Sequence, residues 1–219
     1  MDPLDQIAAT GIVPVVEIDV TRSALPLVDA LVSGGLTTAE ITLRTEVAIA
    51  VISEIARYRP DFLVGAGTVR TMAQAEQTAD AGARFIVSPG LNHSVVDYCQ
   101  KAGIRTLPGV ATSTEIEVAV GLGLSVLKLF PIKQLGGVEY LSALAGPFGD
   151  VRFVPSGGIG PDALGDYFSR ANVLAIGGSW IAPRSAIDHG DFAGIETRAN
   201  QAVAKVRAVR AKVVEGSEL

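Results

Sequence analysis

Short apolar runs alternate along the chain with longer stretches whose apolar residues recur at helical spacing. The runs are "GIVPVVEI" from Gly11, "TAEITL" from Thr38, "FLVGAG" from Phe62 and "RFIVSP" from Arg84. "RTLPGV" from Arg105, "VLKLFP" from Val126, "RFVPSGG" from Arg152 and "NVLAIGG" from Asn172 follow. They make eight candidate strands, spaced roughly 20 to 25 residues apart, the length of a strand, a helix and two short connections. Strands that alternate with helices pair in parallel, because each return to the sheet needs a crossover. Mostly apolar strands fit a sheet covered on both faces.

The helix ends carry their own signals. Thr71 with Gln74, and Thr112 with Glu115, have capping-box spacing, and Pro161 after Gly160 suits a first helical turn. The pairs Gly34–Gly35, Ala81–Gly82 and Ala102–Gly103 stand where helix C-caps belong. From about 191 to 213, Phe192, Ile195, Ala199, Ala202, Val206, Val209 and Val213 recur at helical intervals, which predicts a C-terminal helix against the barrel. An open doubly wound sheet is the other solution for eight βα units, but no GxGxxG follows the first strand. The pattern predicts an α/β fold, a (β/α)8 TIM barrel, as a single domain over residues 1–219.

Composition narrows the function classes. A net charge of −5 and the lack of a Lys/Arg run argue against nucleic-acid binding. The one cysteine, Cys99, cannot form an internal disulfide, so a cytoplasmic location is expected. "MDPLDQIAAT" is acidic and not continuously apolar, unlike a signal peptide, and no run reaches membrane-spanning length without a charge or turn signal. His93 and His189 have no ligand spacing to each other or to Cys99, so no metal is expected.

Barrel enzymes place their chemistry at the C-terminal ends of strands, so polar residues in or just past apolar strands are informative. In strand two, Thr38, Glu40, Thr42 and Arg44 alternate with Ala39, Ile41 and Leu43. The apolar side suits packing against helices, which leaves Glu40 and Arg44 facing the barrel mouth; a surface ion pair is the other reading. Among five lysines, Lys128 alone interrupts an apolar strand. Burial disfavours a charged amine, as would a nearby Arg44, and a partly neutral amine is what attack on a carbonyl requires. On the residues alone, a lysine snorkelling to the strand end or bridged to Glu40 stays open beside a Schiff-base nucleophile.

"PSGGIGP" (Pro155 to Pro161) and "IGGSW" (Ile176 to Trp180) follow strands seven and eight. Glycine-rich loops at these strands commonly hold phosphate, through close backbone N–H groups and hydroxyls such as those of Ser156 and Ser179. "GAGTV" closes strand three and puts Thr68 at the mouth. Ser156 lies in no GxSxG elbow, which leaves a hydrolase triad without support.

"EITLRTE", "VGAGTV", "SPG", "LKLFP", "AGPF", "VRFVPSGGI" and "IGGSW" run in order along nearly the whole chain and resemble the 2-keto-3-deoxy-6-phosphogluconate (KDPG) aldolase family, which also carries 4-hydroxy-2-oxoglutarate (KHG) aldolase activity. The resemblance implies a (β/α)8 barrel, a homotrimer, a small-molecule substrate, no metal or cofactor and a place in the Entner–Doudoroff pathway. It makes Lys128 the Schiff-base lysine and Glu40 the general acid/base. Arg44 and Thr68 become the carboxylate-binding groups, and Pro89 and Phe130 shape the pocket. Ser156, Gly157, Gly158, Gly178 and Ser179 form the phosphate site. The family often has threonine where this chain has Ser156; the hydroxyl survives and the methyl does not.

Three rival readings accompany this one. "TLRT" at Thr42 to Thr45 favours the gluconate enzyme over 2-keto-3-deoxy-6-phosphogalactonate aldolase, in which "PLNS" is more usual. A sugar-phosphate isomerase or epimerase would use the same phosphate loops without an imine. A non-catalytic phosphosugar-binding barrel would dispense with Lys128 and Glu40.

Overall fold

A computed structural model describes residues 1–216, and side chains through 212. Strands and helices alternate, and every strand pair is parallel. The strands are β1 (Ile12–Val16), β2 (Thr38–Thr42), β3 (Leu63–Gly67), β4 (Phe85–Val87), β5 (Arg105–Leu107), β6 (Gly109–Val110), β7 (Val126–Leu129), β8 (Arg152–Pro155) and β9 (Ile176–Gly178). Their order is β5-β4-β3-β2-β1-β9 in a six-stranded sheet and β6-β7-β8 in a three-stranded one. The result is an α/β fold built on curled parallel sheet, with bridges Phe153↔Val173 and Ser156↔Gly177 from β8 and its following residue to the last strand segment.

Alternation along the strands produces two cores. Val13, Leu63, Phe85, Val87, Leu107 and Val154 belong to an inner cluster. Their neighbours Ile12, Val64, Ala66, Ile86 and Phe153 belong to a larger cluster that includes the helices. Gly65 leaves the space that the Phe85 ring fills, since a Cβ there would sit 2.3 Å from it. Such large-against-small packing brings the inner face to interior density.

Several expectations need correction. "RTLPGV" is not one strand: it splits into β5 and β6 at Pro108, which has no N–H to give a ladder. β2 ends at Thr42, so Arg44 does not continue its polar face but lies in the following turn, where its N–H donates to Thr42 O at 2.8 Å. "NVLAIGG" narrows to a strand over Ile176–Gly178. Thr112 and Glu115 form the full capping box. At Thr71, however, Gln74 Oε1 accepts from Arg70 N–H instead of the N-cap.

Two helices finish the molecule. Pro3–Thr10 starts with a proline and is capped by Asp2. Its Ile7 joins the inner cluster, and Asp2 pairs with Arg105 at the start of β5. This helix therefore covers the N-terminal end of the strands. Phe192–Gly216 is the expected C-terminal helix, burying Ile195, Ala199, Ala202 and Val206; the side chain of Val213 lies outside the described residues. No helix among the described residues is long and apolar enough to cross a membrane.

Candidate active site

β2 and β7 bring two charged side chains into the apolar interior. Glu40 is 4% exposed and Lys128 7%, and Nζ of Lys128 lies 3.3 Å from Oε1 of Glu40. Ala39 and Ile41 pack on the outer core instead. Thr38 and Thr42 donate their hydroxyls to Leu63 O and Val16 O, each at 2.9 Å. Among the strand's polar residues, Glu40 thus carries the charge that faces inward.

Gly67 explains how Glu40 fits. A Cβ on Gly67 would sit 2.1 Å from Oε1 of Glu40 and 2.5 Å from its Cγ. The carboxylate thus lies directly over β3, and only glycine leaves that room. The Phe130 ring centroid lies 5.4 Å from Nζ of Lys128, within cation–π range. A cavity of about 10 Å³, the size of one water molecule, borders Glu40, Lys128 and Ser156.

Above this pair a cavity of about 170 Å³ opens between the loops. Lys128 and Phe130 border it from β7, Ser156, Gly157 and Gly158 from the turn after β8, Ser179 from the turn after β9, and Arg44 from the turn after β2. Gly157 and Gly158 both have positive φ, 98° and 85°, a backbone that side chains rarely adopt. A Cβ on Gly157 would also press on the Phe130 ring at 3.1 Å. The turn therefore keeps its backbone close to the cavity. Ser156 is buried, and Ile132 N–H donates to its carbonyl at 2.9 Å, tying the turn after β8 to the helix after β7.

Other expected residues sit nearby without bordering this cavity. Thr68 follows Gly67 and is the one non-glycine residue with positive φ among those described, at 59°, a conformation that tends to cluster at functional sites. Pro89 follows β4, half-buried. Gly178 lies between two positions of which Ser179 borders the cavity; on the other side Gly177 does so rather than Gly178. A Cβ on Gly178 would instead meet Trp180 Nε1 at 2.8 Å. Arg44, expected as the carboxylate anchor, does border the cavity, and its Nη1 lies 3.7 Å from Oε2 of Glu17.

Glu17 and Arg184 were not singled out in the sequence, yet they border an adjoining cavity of about 290 Å³ with Arg44 and Ser179. A signal was present for Glu17, which interrupts the end of "GIVPVVEI" as Glu40 interrupts "TAEITL". Arg184 had none. A larger cavity, about 450 Å³, lies at the N-terminal end of the strands between Asp2, Gln100, Arg105 and Leu124. Lys128 does not border it, and its arginine is already paired with Asp2. No group of three or more His, Cys, Asp or Glu able to hold a metal occurs among the described residues.

The model of a family described as "KDPG and KHG aldolase" matches residues 5–198. The chain belongs to that family. A relative from Treponema pallidum, named 2-dehydro-3-deoxy-phosphogluconate aldolase, is 46% identical over 190 residues, covering 87% of this chain and 90% of that protein. One from Escherichia coli, named KHG/KDPG aldolase, is 42% identical over 200 residues, covering 91% and 94%. Among solved members of the family, the KDPG aldolase of Legionella pneumophila, with pyruvate captured at low pH as a covalent carbinolamine intermediate, superposes with a TM-score of 0.88. It is 38% identical and covers 91% of this chain and 97% of that one.

Proposed function

We propose that the protein is a class I aldolase that cleaves KDPG to pyruvate and glyceraldehyde 3-phosphate, and KHG to pyruvate and glyoxylate. One observation carries the reading: a buried lysine amine in hydrogen-bond reach of a buried carboxylate, at the floor of a cavity rimmed by an arginine and a glycine-rich turn.

In this mechanism Lys128 Nζ attacks the C2 ketone, forming a carbinolamine. Glu40, through one water or without it, moves protons as the carbinolamine loses water to give the protonated imine. Glu40 then takes the C4 hydroxyl proton. The C3–C4 bond breaks, its electrons flow into the imine, and the aldehyde leaves. Protonation of the enamine at C3 and hydrolysis of the imine release pyruvate and restore Lys128. Each step needs a base and an acid at one place, the role a buried carboxylate beside the amine performs.

Arg44 binds the substrate carboxylate, with a fork suited to two parallel hydrogen bonds, and Thr68 assists it. Pro89 and Phe130 shape the pocket. Ser156, Gly157, Gly158, Gly178 and Ser179 hold the phosphate through hydroxyls and backbone N–H groups. The positive-φ glycines at 157 and 158 support this, since such turns make anion-binding concavities.

The two sheets form the arcs of one closed (β/α)8 barrel and a single domain. The chain passes from β5 to β6 through Pro108 alone, bridges join β8 and Ser156 to the last strand segment, and Val154 of the smaller sheet shares the inner cluster with the larger sheet's side chains. A homotrimer, supported by family resemblance, and a cytoplasmic location, supported by the single cysteine, complete the proposal; light scattering on the purified chain tests the trimer.

Pyruvate release from KDPG, followed with lactate dehydrogenase and NADH in the presence of a chelator, tests the activity. Cleavage is expected in the wild type and absent in Lys128→Ala. Cleavage that disappears with chelator, or persists in Lys128→Ala, contradicts the reading.

A further inference from the structure

Glu17 and Arg184 take no part in the steps above, yet they stand beside the carboxylate anchor. Glu17 follows β1, and Arg184 opens the short helix Arg184–Asp188 after β9. The Glu17 side chain is 26% exposed, and its two oxygens serve different partners. Oε1 accepts from Arg184 Nη1, while Oε2 lies 3.7 Å from Arg44 Nη1. Arg184 is gripped from behind by Asp19, whose two oxygens accept from Nε at 2.6 Å and Nη2 at 2.7 Å.

The two contacts of Glu17 differ in kind. The one with Arg184 is a close charge-assisted hydrogen bond, backed by a bidentate pair on the far side. The one with Arg44 exceeds hydrogen-bond distance, and half-exposed ion pairs of that sort contribute little. Arg44 is therefore only loosely held, with most of its fork free for another carboxylate. Without Arg184, Glu17 would have no competing cation and would turn both oxygens to Arg44.

We propose that Arg184 is a positioning residue that occupies Glu17 and so keeps Arg44 available to the carboxylate of a 2-oxo acid. The inference rests on the assignment of Arg44 as the carboxylate anchor. Glu17 is then an internal competitor of the substrate, and Asp19 is the clamp that holds Arg184 on it. A purely structural role, in which Arg184 only pins its helix to the turn after β1, is the contrasting account.

Epistasis separates the two. KM and kcat for KDPG cleavage are measured for the full-length wild type, Arg184→Ala, Glu17→Gln, the double variant and Arg44→Ala. Arg184→Ala should raise KM roughly three- to fivefold, the scale of one exposed ion pair, and move kcat less. Glu17→Gln should lower KM, and the double variant should have the KM of Glu17→Gln, since no carboxylate is left for Arg184 to occupy. Arg184→Gln, which keeps most of the side-chain stem, should give the same pattern and guards against a folding defect. An unchanged KM in both Arg184 variants, or a rise that persists in the double variant, overturns the proposal. Arg44→Ala reports on the underlying assignment separately: if it leaves KM unchanged, the anchor itself is wrong and the inference falls with it.

Discussion

Lys128 Nζ and Glu40 Oε1 lie 3.3 Å apart, with side chains 9% and 5% exposed. Each charge is removed from water and has the other as its ionic partner. Breaking such a buried pair from one side leaves an uncompensated charge, at a cost of about 3 to 5 kcal/mol. Lys128→Met should therefore lower unfolding stability on that scale in urea denaturation. Adding Glu40→Gln should recover a good part of the loss, because the stranded carboxylate is gone. A single variant as stable as the wild type would mean the two groups are not coupled.

Glu40→Gln keeps the shape of the side chain and removes its basicity. The proton transfers assigned to it are typically worth about 10²- to 10⁴-fold. A fall in kcat within that range is expected for KDPG cleavage, and a fall of less than tenfold would move the acid/base role elsewhere.

Gly67→Ala should act on the same step without replacing a reacting group. The new Cβ would occupy the place of the Glu40 carboxylate, 2.1 Å from its Oε1, so the side chain must move. Misplacement of a catalytic group by about 1 Å costs roughly 10²-fold. Steady-state kinetics should show kcat reduced on that order; wild-type kcat would mean that the position of Glu40 is not critical.

Ser179→Ala tests the phosphate loops. The residue is exposed at the rim of the Lys128 cavity, so its loss should not disturb the core. A hydrogen bond to a charged group is worth about 1.5 to 3 kcal/mol, which predicts KM for KDPG rising by tenfold or more. KHG carries no phosphate, and its KM should stay near the wild-type value. Equal effects on the two substrates would remove Ser179 from the phosphate site.

Cys99 is fully buried, and burial pushes its thiol up from 9.0 to about 11. Only the thiolate reacts, so native protein near pH 8 should resist an alkylating reagent that labels the denatured chain at once. The sign for stability follows. Between pH 9.0 and about 11 the unfolded chain loses this proton while the folded chain keeps it, so this group's contribution to stability falls as pH rises through that window. Rapid labelling of the native protein would contradict the assigned burial.

Much of this architecture was legible in the sequence because period and capping chemistry are local. Alternation in "TAEITL" puts Glu40 inward and Ala39 and Ile41 outward, and the Thr112–Glu115 box caps its helix as the spacing predicts. What was missed depends on partners distant in the chain. The helix Pro3–Thr10 is too short to announce itself, and its Ile7 has meaning only against the inner cluster that it covers. Pro108 looked like part of a strand because its neighbours are apolar; the missing N–H decided otherwise. Arg44 reads as a strand residue by parity, yet β2 stops at Thr42. Arg184 stands far along the chain from Glu17 and meets it only when β9 pairs with β1.

Reduction of the enzyme–pyruvate mixture with borohydride, followed by intact-mass and peptide mass analysis, reads out the imine on Lys128 itself. One reduced pyruvyl adduct per chain is expected, located on Lys128, and none in Lys128→Ala. An unmodified chain, or an adduct on Lys101, Lys133, Lys205 or Lys212 in place of Lys128, would contradict the Schiff-base role of Lys128.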